Sequence, residues 1–160
     1  MKNQKYLKIT WNAFHQDVKI LAQKINAAKY QKIYAISRGG LAPACVLAHQ
    51  LNIRKIETID VVGYQAESQL KEIQLLSEIH DDGENCIVID DLIDSGRTIN
   101  FLRPKLPKAL FVTVYAKPLR KELVDLYAVE IPADEWILFP WENDVHPEEK
   151  LIKIRDINTN

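Results

Sequence analysis

Residues 87–98 read IVIDDLIDSGRT, and this stretch decides the fold class. Ile87–Ile89 is an apolar β-branched run of the kind found in strands buried on both faces. At its end come two consecutive carboxylates, Asp90 and Asp91, and a third acid, Asp94, follows in the next turn. Ser95, Gly96, Arg97 and Thr98 then make a small glycine-containing turn that opens a helix through Ile99, Phe101 and Leu102, which stops near Pro104. Free backbone N–H groups and the helix dipole make such a turn a phosphate cradle, with the Ser95 and Thr98 hydroxyls as further donors. Acids beside an anion site fit together once a sugar and a divalent cation are included: carboxylates accept from ribose hydroxyls and hold Mg²⁺, while amides hold the phosphate. Successive strand side chains point to opposite sides, so Asp90 and Asp91 serve one site only if the strand ends there. The bland alternative is a helix N-terminus stabilised by its own acid. Three acids around an apolar strand end weigh against it, because charges removed from water need partners.

Working outward, Lys32–Ile36 is a short strand leading into the turn Ser37-Arg38-Gly39-Gly40 and a helical run over about Leu41–Leu51. Ile56–Val62 and Leu110–Ala116 are further strands, the second followed by Lys117-Pro118. Trp11, Phe14, Val18, Leu21 and Ile25 are spaced by 3, 4, 3 and 4, an apolar helical stripe that assigns Trp11 and Phe14 to the core, with Thr10 placed as its N-cap. Strands alternating with helices predict an α/β fold, a mostly parallel twisted sheet with helices on both faces. Ligands of such sheets bind beyond the carboxyl ends of strands, here Ser37–Gly40, Asp90–Thr98 and Lys117. Beyond Pro118 come a strand at Val124–Ile131 and the aromatic, proline-broken segment WILFPW at 136–141. The stretch after Glu142 is mostly polar and reads as a surface tail.

The 160 residues fit a single domain, and 47% hydrophobic with 27% charged residues excludes disorder. Net charge is −1, which excludes a nucleic-acid footprint. Residues 1–36 carry seven lysines against the single acid Asp17, read as a solvated helix face. The two cysteines, Cys45 and Cys86, form no CxxC and suit a reducing cytoplasm, Cys45 being read as a small core residue. The start MKNQKYLKIT has no signal-peptide pattern, and apolar runs such as Ala42–Ala48 are far too short to span a bilayer. Neither GxxxxGK[ST] nor GxGxxG occurs. A receiver-type reading fails because only 26 positions separate Asp91 from Lys117. Glycine is scarce, 5 of 160, and four of the five fall at these turns or beside them: Gly39, Gly40, Gly63 and Gly96.

IVIDDLIDSGRT resembles the phosphoribosyl-pyrophosphate (PRPP) binding motif of type I phosphoribosyltransferases. AISRGGLAP at 35–43, YAKP at 115–118 and WILFPW at 136–141 resemble the bacterial xanthine-guanine branch of that family, over roughly residues 5–142. The resemblance implies a core at about 30–118, a hood at about 119–142 with an N-terminal contribution, and a polar tail at 143–160. It implies an Mg²⁺-dependent salvage enzyme that joins a 6-oxopurine base to PRPP and expels pyrophosphate. PRPP would be held by Arg38, Gly39, Lys71, Asp90, Asp91, Leu92, Ile93, Asp94, Ser95, Gly96, Arg97 and Thr98. Asp91 would be the Mg²⁺ contact and Asp94 the catalytic group near the base. Lys117 would donate to the purine 6-oxygen, Trp136 would stack on the ring, and Ile137 would pack beside it while its backbone reads the base edge. Gly63 to about Lys71 would form the closing loop.

The resemblance also implies a cytoplasmic homodimer or homotetramer with at most a weak peripheral membrane association. Two other readings stand beside it: a PRPP-fold sensor without catalysis, and an enzyme that prefers hypoxanthine. The presence of Asp94, Lys117 and Trp136 together favours catalysis.

Overall fold

The computed structural model describes residues 5–65, 71–142 and 152–156. In chain order the elements are β1 (Lys5–Ile9), α1 (Trp11–Gln23), β2 (Lys32–Ser37), α2 (Leu41–Leu51), β3 (Lys55–Gln65) and β4 (Lys71–Leu75). Then follow β5 (Cys86–Ile93), α3 (Arg97–Leu102), β6 (Leu110–Ala116), β7 (Leu126–Glu130), β8 (Glu135–Leu138) and β9 (Ile152–Arg155).

Six strands form the main sheet in the order β4-β3-β2-β5-β6-β7. All its pairs are parallel except β3 with β4. The middle stretches of its central strands, such as Ile87–Ile89, are apolar because both faces are covered. The stripes of α1 and α2 pack on one face, over Ile33, Ile87, Ile89 and Val112. Ile99 and Leu102 of α3 pack on the other, over Tyr34, Val88 and Phe111. Thr10 caps α1 as its sequence predicts, accepting from the Ala13 N–H at 3.2 Å. From β2 the chain crosses through α2 to β3 on one side, and from β5 through α3 to β6 on the other. The order therefore reverses between β2 and β5, and a crevice opens at their carboxyl ends, where ligands of such sheets bind.

A second, three-stranded parallel sheet, β8-β1-β9, stands apart from the first. It corrects two expectations. The segment expected to be a polar tail includes β9, which pairs along β1 and whose Arg155 side chain bonds the buried Asp17. Conversely, β7 belongs to the main sheet, paired with β6, although it lies within the span assigned to the hood.

Other expectations change at single residues. Cys45 is exposed, because its place on α2 turns it away from the sheet. Phe14 is buried, but Trp11 is 57% exposed, its ring meeting those of Phe14 and Trp141. Lys32 does not lie on a solvated helix face: it is buried on β2 and paired with Asp81 and Tyr34. Among the described residues, no helix is long and apolar enough to cross a membrane.

Candidate active site

The crevice between β2 and β5 is a cleft of about 1380 Å³. One wall is the β2–α2 turn, with Ser37, Arg38 and Gly39. The floor and second wall come from the end of β5 and the following turn, with Asp90, Asp91, Asp94, Ser95, Arg97 and Thr98. Val62, Gly63 and Ile73 of the β3–β4 pair close one flank, and Trp136, Leu138, Trp141 and Glu142 close the other.

Two glycines let these turns come together. A Cβ on Gly39 would stand 2.5 Å from Asp91 Oδ2, so only a residue without a side chain allows the first turn to approach the acid. Gly96, just before α3, has φ +76°, in the left-handed region that glycine enters without strain.

The acids do not wait for the strand to end. The pairing of β5 with β6 continues to Ile93, with Asp90 opposite Thr113 and Leu92 opposite Tyr115. Asp90 Oδ1 accepts from the Asp91 N–H at 2.9 Å, and Asp91 Oδ1 accepts from the Leu92 N–H at 2.6 Å. These local bonds hold both carboxylates at the cleft although they are neighbours on a strand. Burial, then the charge of Asp91, raises Asp90 well above the usual carboxylate range. Burial pushes Asp91 up to about 6 despite these hydrogen bonds, and the Glu142 carboxylate adds to the rise. The pair therefore resists full ionisation until positive charge arrives.

Among the described residues there is no cluster of three or more His, Cys, Asp or Glu side chains that could cage a metal. Two adjacent carboxylates open to a roomy cleft are instead the donor set that suits Mg²⁺, which keeps waters and takes its remaining oxygens from substrate.

Lys117 follows β6, and its backbone N–H donates to the Ile93 carbonyl at 3.1 Å. Its ammonium lies 2.9 Å from Asp94 Oδ1 and also donates to the Ala133 carbonyl at 3.4 Å. The ammonium is thus joined to the turn that ends the cleft. Trp136 is 55% exposed, with its indole on the cleft wall.

Some predicted positions do not reach the cleft with their side chains. Ile93 and Ile137 are buried in the two cores, and Leu92 packs against the core under α1 and α2. Only their backbones remain available to a ligand. Lys71 opens β4, its side chain lies outside the described residues, and so does the predicted closing loop at 66–70.

Sequence reasoning misses Leu138, Trp141 and Glu142, all at the cleft. The readable signal is the contiguity of WILFPWE, whose last residue, Glu142, belongs with the aromatic segment. Also missed is Asp60 on β3, whose Oδ1 accepts from the Ser37 hydroxyl at 2.6 Å, bracing the residue before Arg38.

Residues 9–148 match the family described as "Phosphoribosyl transferase domain". The xanthine-guanine phosphoribosyltransferase of Idiomarina loihiensis is 41% identical, with 89% of this chain and 91% of the relative covered. The enzyme of that name from Nitratidesulfovibrio vulgaris is 42% identical over 89% of this chain and 88% of its own. Among solved structures, a purine phosphoribosyltransferase from Pyrococcus horikoshii superposes with TM-score 0.76 at 27% identity, covering 89% of this chain and 97% of that one.

Proposed function

The chain belongs to the phosphoribosyl transferase family, and from that premise we propose that it is a purine salvage enzyme, transferring the 5-phosphoribosyl group of PRPP to N9 of guanine or xanthine. The N9–C1 bond forms as the bond from C1 to the pyrophosphate oxygen breaks, giving the purine nucleotide and pyrophosphate. The observation that carries the reading is the Lys117–Asp94 contact of 2.9 Å, which joins a purine-type donor to the phosphate-type turn beside the acid pair.

Each element then has a task. The turn at 94–98 takes the 5′-phosphate, and Asp90 and Asp91 accept from the ribose hydroxyls. Arg38 supplies forked, charged donors to pyrophosphate, while Gly39 lets the backbone come close. Asp91 would hold Mg²⁺, which would supply positive charge to offset that of the pyrophosphate. Asp94 faces N7 and handles the proton displaced as N9 becomes the nucleophile. Lys117 donates to the 6-oxygen, which selects against adenine, whose 6-amino group is itself a donor. Trp136 covers the purine face, and the Ile137 backbone reads the base edge. The names of the relatives at 41% and 42% identity support xanthine and guanine over hypoxanthine as the preferred bases.

The experiment is direct. Incubation with PRPP, Mg²⁺ and guanine or xanthine yields GMP or XMP and one equivalent of pyrophosphate, read by mass spectrometry and a pyrophosphate assay. Absence of product with every 6-oxopurine overturns the reading. Sedimentation velocity distinguishes monomer from the homodimer or homotetramer that the family resemblance implies.

A further inference from the structure

We propose that the buried ion pair of Asp17 and Arg155, completed by Tyr115, positions the purine subsite, so that β9 is part of the active unit. The inference rests on the functional reading above and extends it to residues remote from the cleft.

Asp17 is completely buried on α1. Arg155 grips both its oxygens, Nη2 to Oδ1 at 2.6 Å and Nε to Oδ2 at 2.9 Å, and the Tyr115 hydroxyl donates to Oδ2 at 2.8 Å. Burial, reinforced by Asp17, pushes the Tyr115 hydroxyl far above its usual range, so it remains a donor. A charge removed from water is retained in a core where its partners fix one arrangement among several, and losing one partner leaves the other stranded.

Three routes lead from this carboxylate to the base-side wall. Arg155 ends β9, opposite Ile9 of β1, and β1 in turn sets Tyr6 opposite Trp136 and Lys8 opposite Leu138. Tyr115 lies on β6 two residues before Lys117. Its ring meets Phe139 at 5.9 Å, and Phe139 stacks on Trp141 at 4.6 Å and 12°. The remaining ties make β9 docked rather than merely adjacent. The Thr10 N–H donates to the Arg155 carbonyl at 3.2 Å, and the Thr10 hydroxyl donates to Asp156 Oδ1 at 2.8 Å. None of these links touches the β2–α2 turn, and on β5 the nearest is the register of Tyr115 with Leu92. The pair therefore bears on the base-side wall more directly than on the residues assigned to PRPP.

The test compares Arg155→Met, Arg155→Lys and Tyr115→Phe with the unaltered protein, using steady-state kinetics and hydrogen exchange. For Arg155→Met we expect the KM for guanine to rise about tenfold, with the KM for PRPP within twofold and partial recovery in Arg155→Lys. Amides of 135–138 should exchange at least tenfold faster while those of 87–89 stay protected. Tyr115→Phe, which removes one hydroxyl without a cavity, should give the same pattern at smaller amplitude, and it decides the matter if Arg155→Met fails to fold. Equal shifts in both KM values, or unchanged exchange at 135–138, overturn the proposal. An unaltered protein that forms no nucleotide overturns the functional reading instead, and with it the positioning of a purine; the exchange pattern then reports only whether the pair anchors that wall.

Discussion

The Lys117 ammonium lies 2.9 Å from Asp94 Oδ1, joining the end of β6 to the turn between β5 and α3. The contact keeps a largely buried cation and an exposed carboxylate together where the proposed base and sugar subsites adjoin. It also means that neither side chain can be moved without releasing the other.

Replacing the cation removes a charged donor. Lys117→Met should lower kcat/KM for guanine by about 10- to 100-fold, the range of one charge-assisted hydrogen bond of about 1.5–3 kcal/mol. Adenine should lose less, so the ratio between the two bases narrows. An unchanged ratio would remove Lys117 from base selection.

Asp94→Asn keeps the shape of the side chain and its reach to Lys117 but not its proton affinity. Loss of proton handling should lower kcat by about 10²–10⁴-fold, with a smaller effect on the KM for base. Full activity in this variant would exclude a chemical role for Asp94.

Asp90 and Asp91 are held as adjacent, partly buried carboxylates with raised proton affinity. Sites arranged this way trade stability for function. Asp90→Asn should raise the metal-free protein's stability by about 1–2 kcal/mol, a Tm increase of about 2–6 °C, while Mg²⁺-dependent turnover collapses. A lower Tm in a differential scan would show that the pair is stabilising rather than strained.

At the opposite end of the sheet, Asp81 accepts from Lys32 and from the Tyr34 hydroxyl, the latter at 2.8 Å. Burial pushes the Asp81 carboxyl up, but the bonds from Lys32 and Tyr34 outweigh it and hold it below its ordinary value. Stability from a depressed carboxylate is present above its unfolded value, near 4, and is lost as pH falls through the folded value. Because Asp81 is partly exposed, the contribution is screened to about 1 kcal/mol or less. Asp81→Asn should therefore melt lower than the unaltered protein at pH 7, and the difference should shrink as the pH falls below the ordinary carboxylate range. A difference that grows on acidification would contradict the sign.

What the sequence discloses follows from how each element is stabilised. The central strands announce themselves because burial on both faces demands apolar runs such as Ile87–Ile89, and α1 because Thr10 and its stripe act locally. The strands β1, β4 and β9 stay hidden for the opposite reason. KYLKI, KEIQL and IKIR are short and interleaved with lysine, acid or arginine, and only their partners make them strands. The acid motif and its glycine turn are legible because phosphate and sugar chemistry depends on neighbouring residues. The pairing of Asp17 with Arg155 is not, since it joins residues 138 positions apart and leaves no local pattern.

The central claim, a cleft built for a 6-oxopurine and PRPP, is tested most directly by one ratio: kcat/KM for guanine over kcat/KM for adenine, at saturating PRPP and Mg²⁺. A site that reads the 6-oxygen through Lys117 predicts a ratio of about 10⁴ or more. A ratio near one, or no nucleotide from guanine, would contradict it.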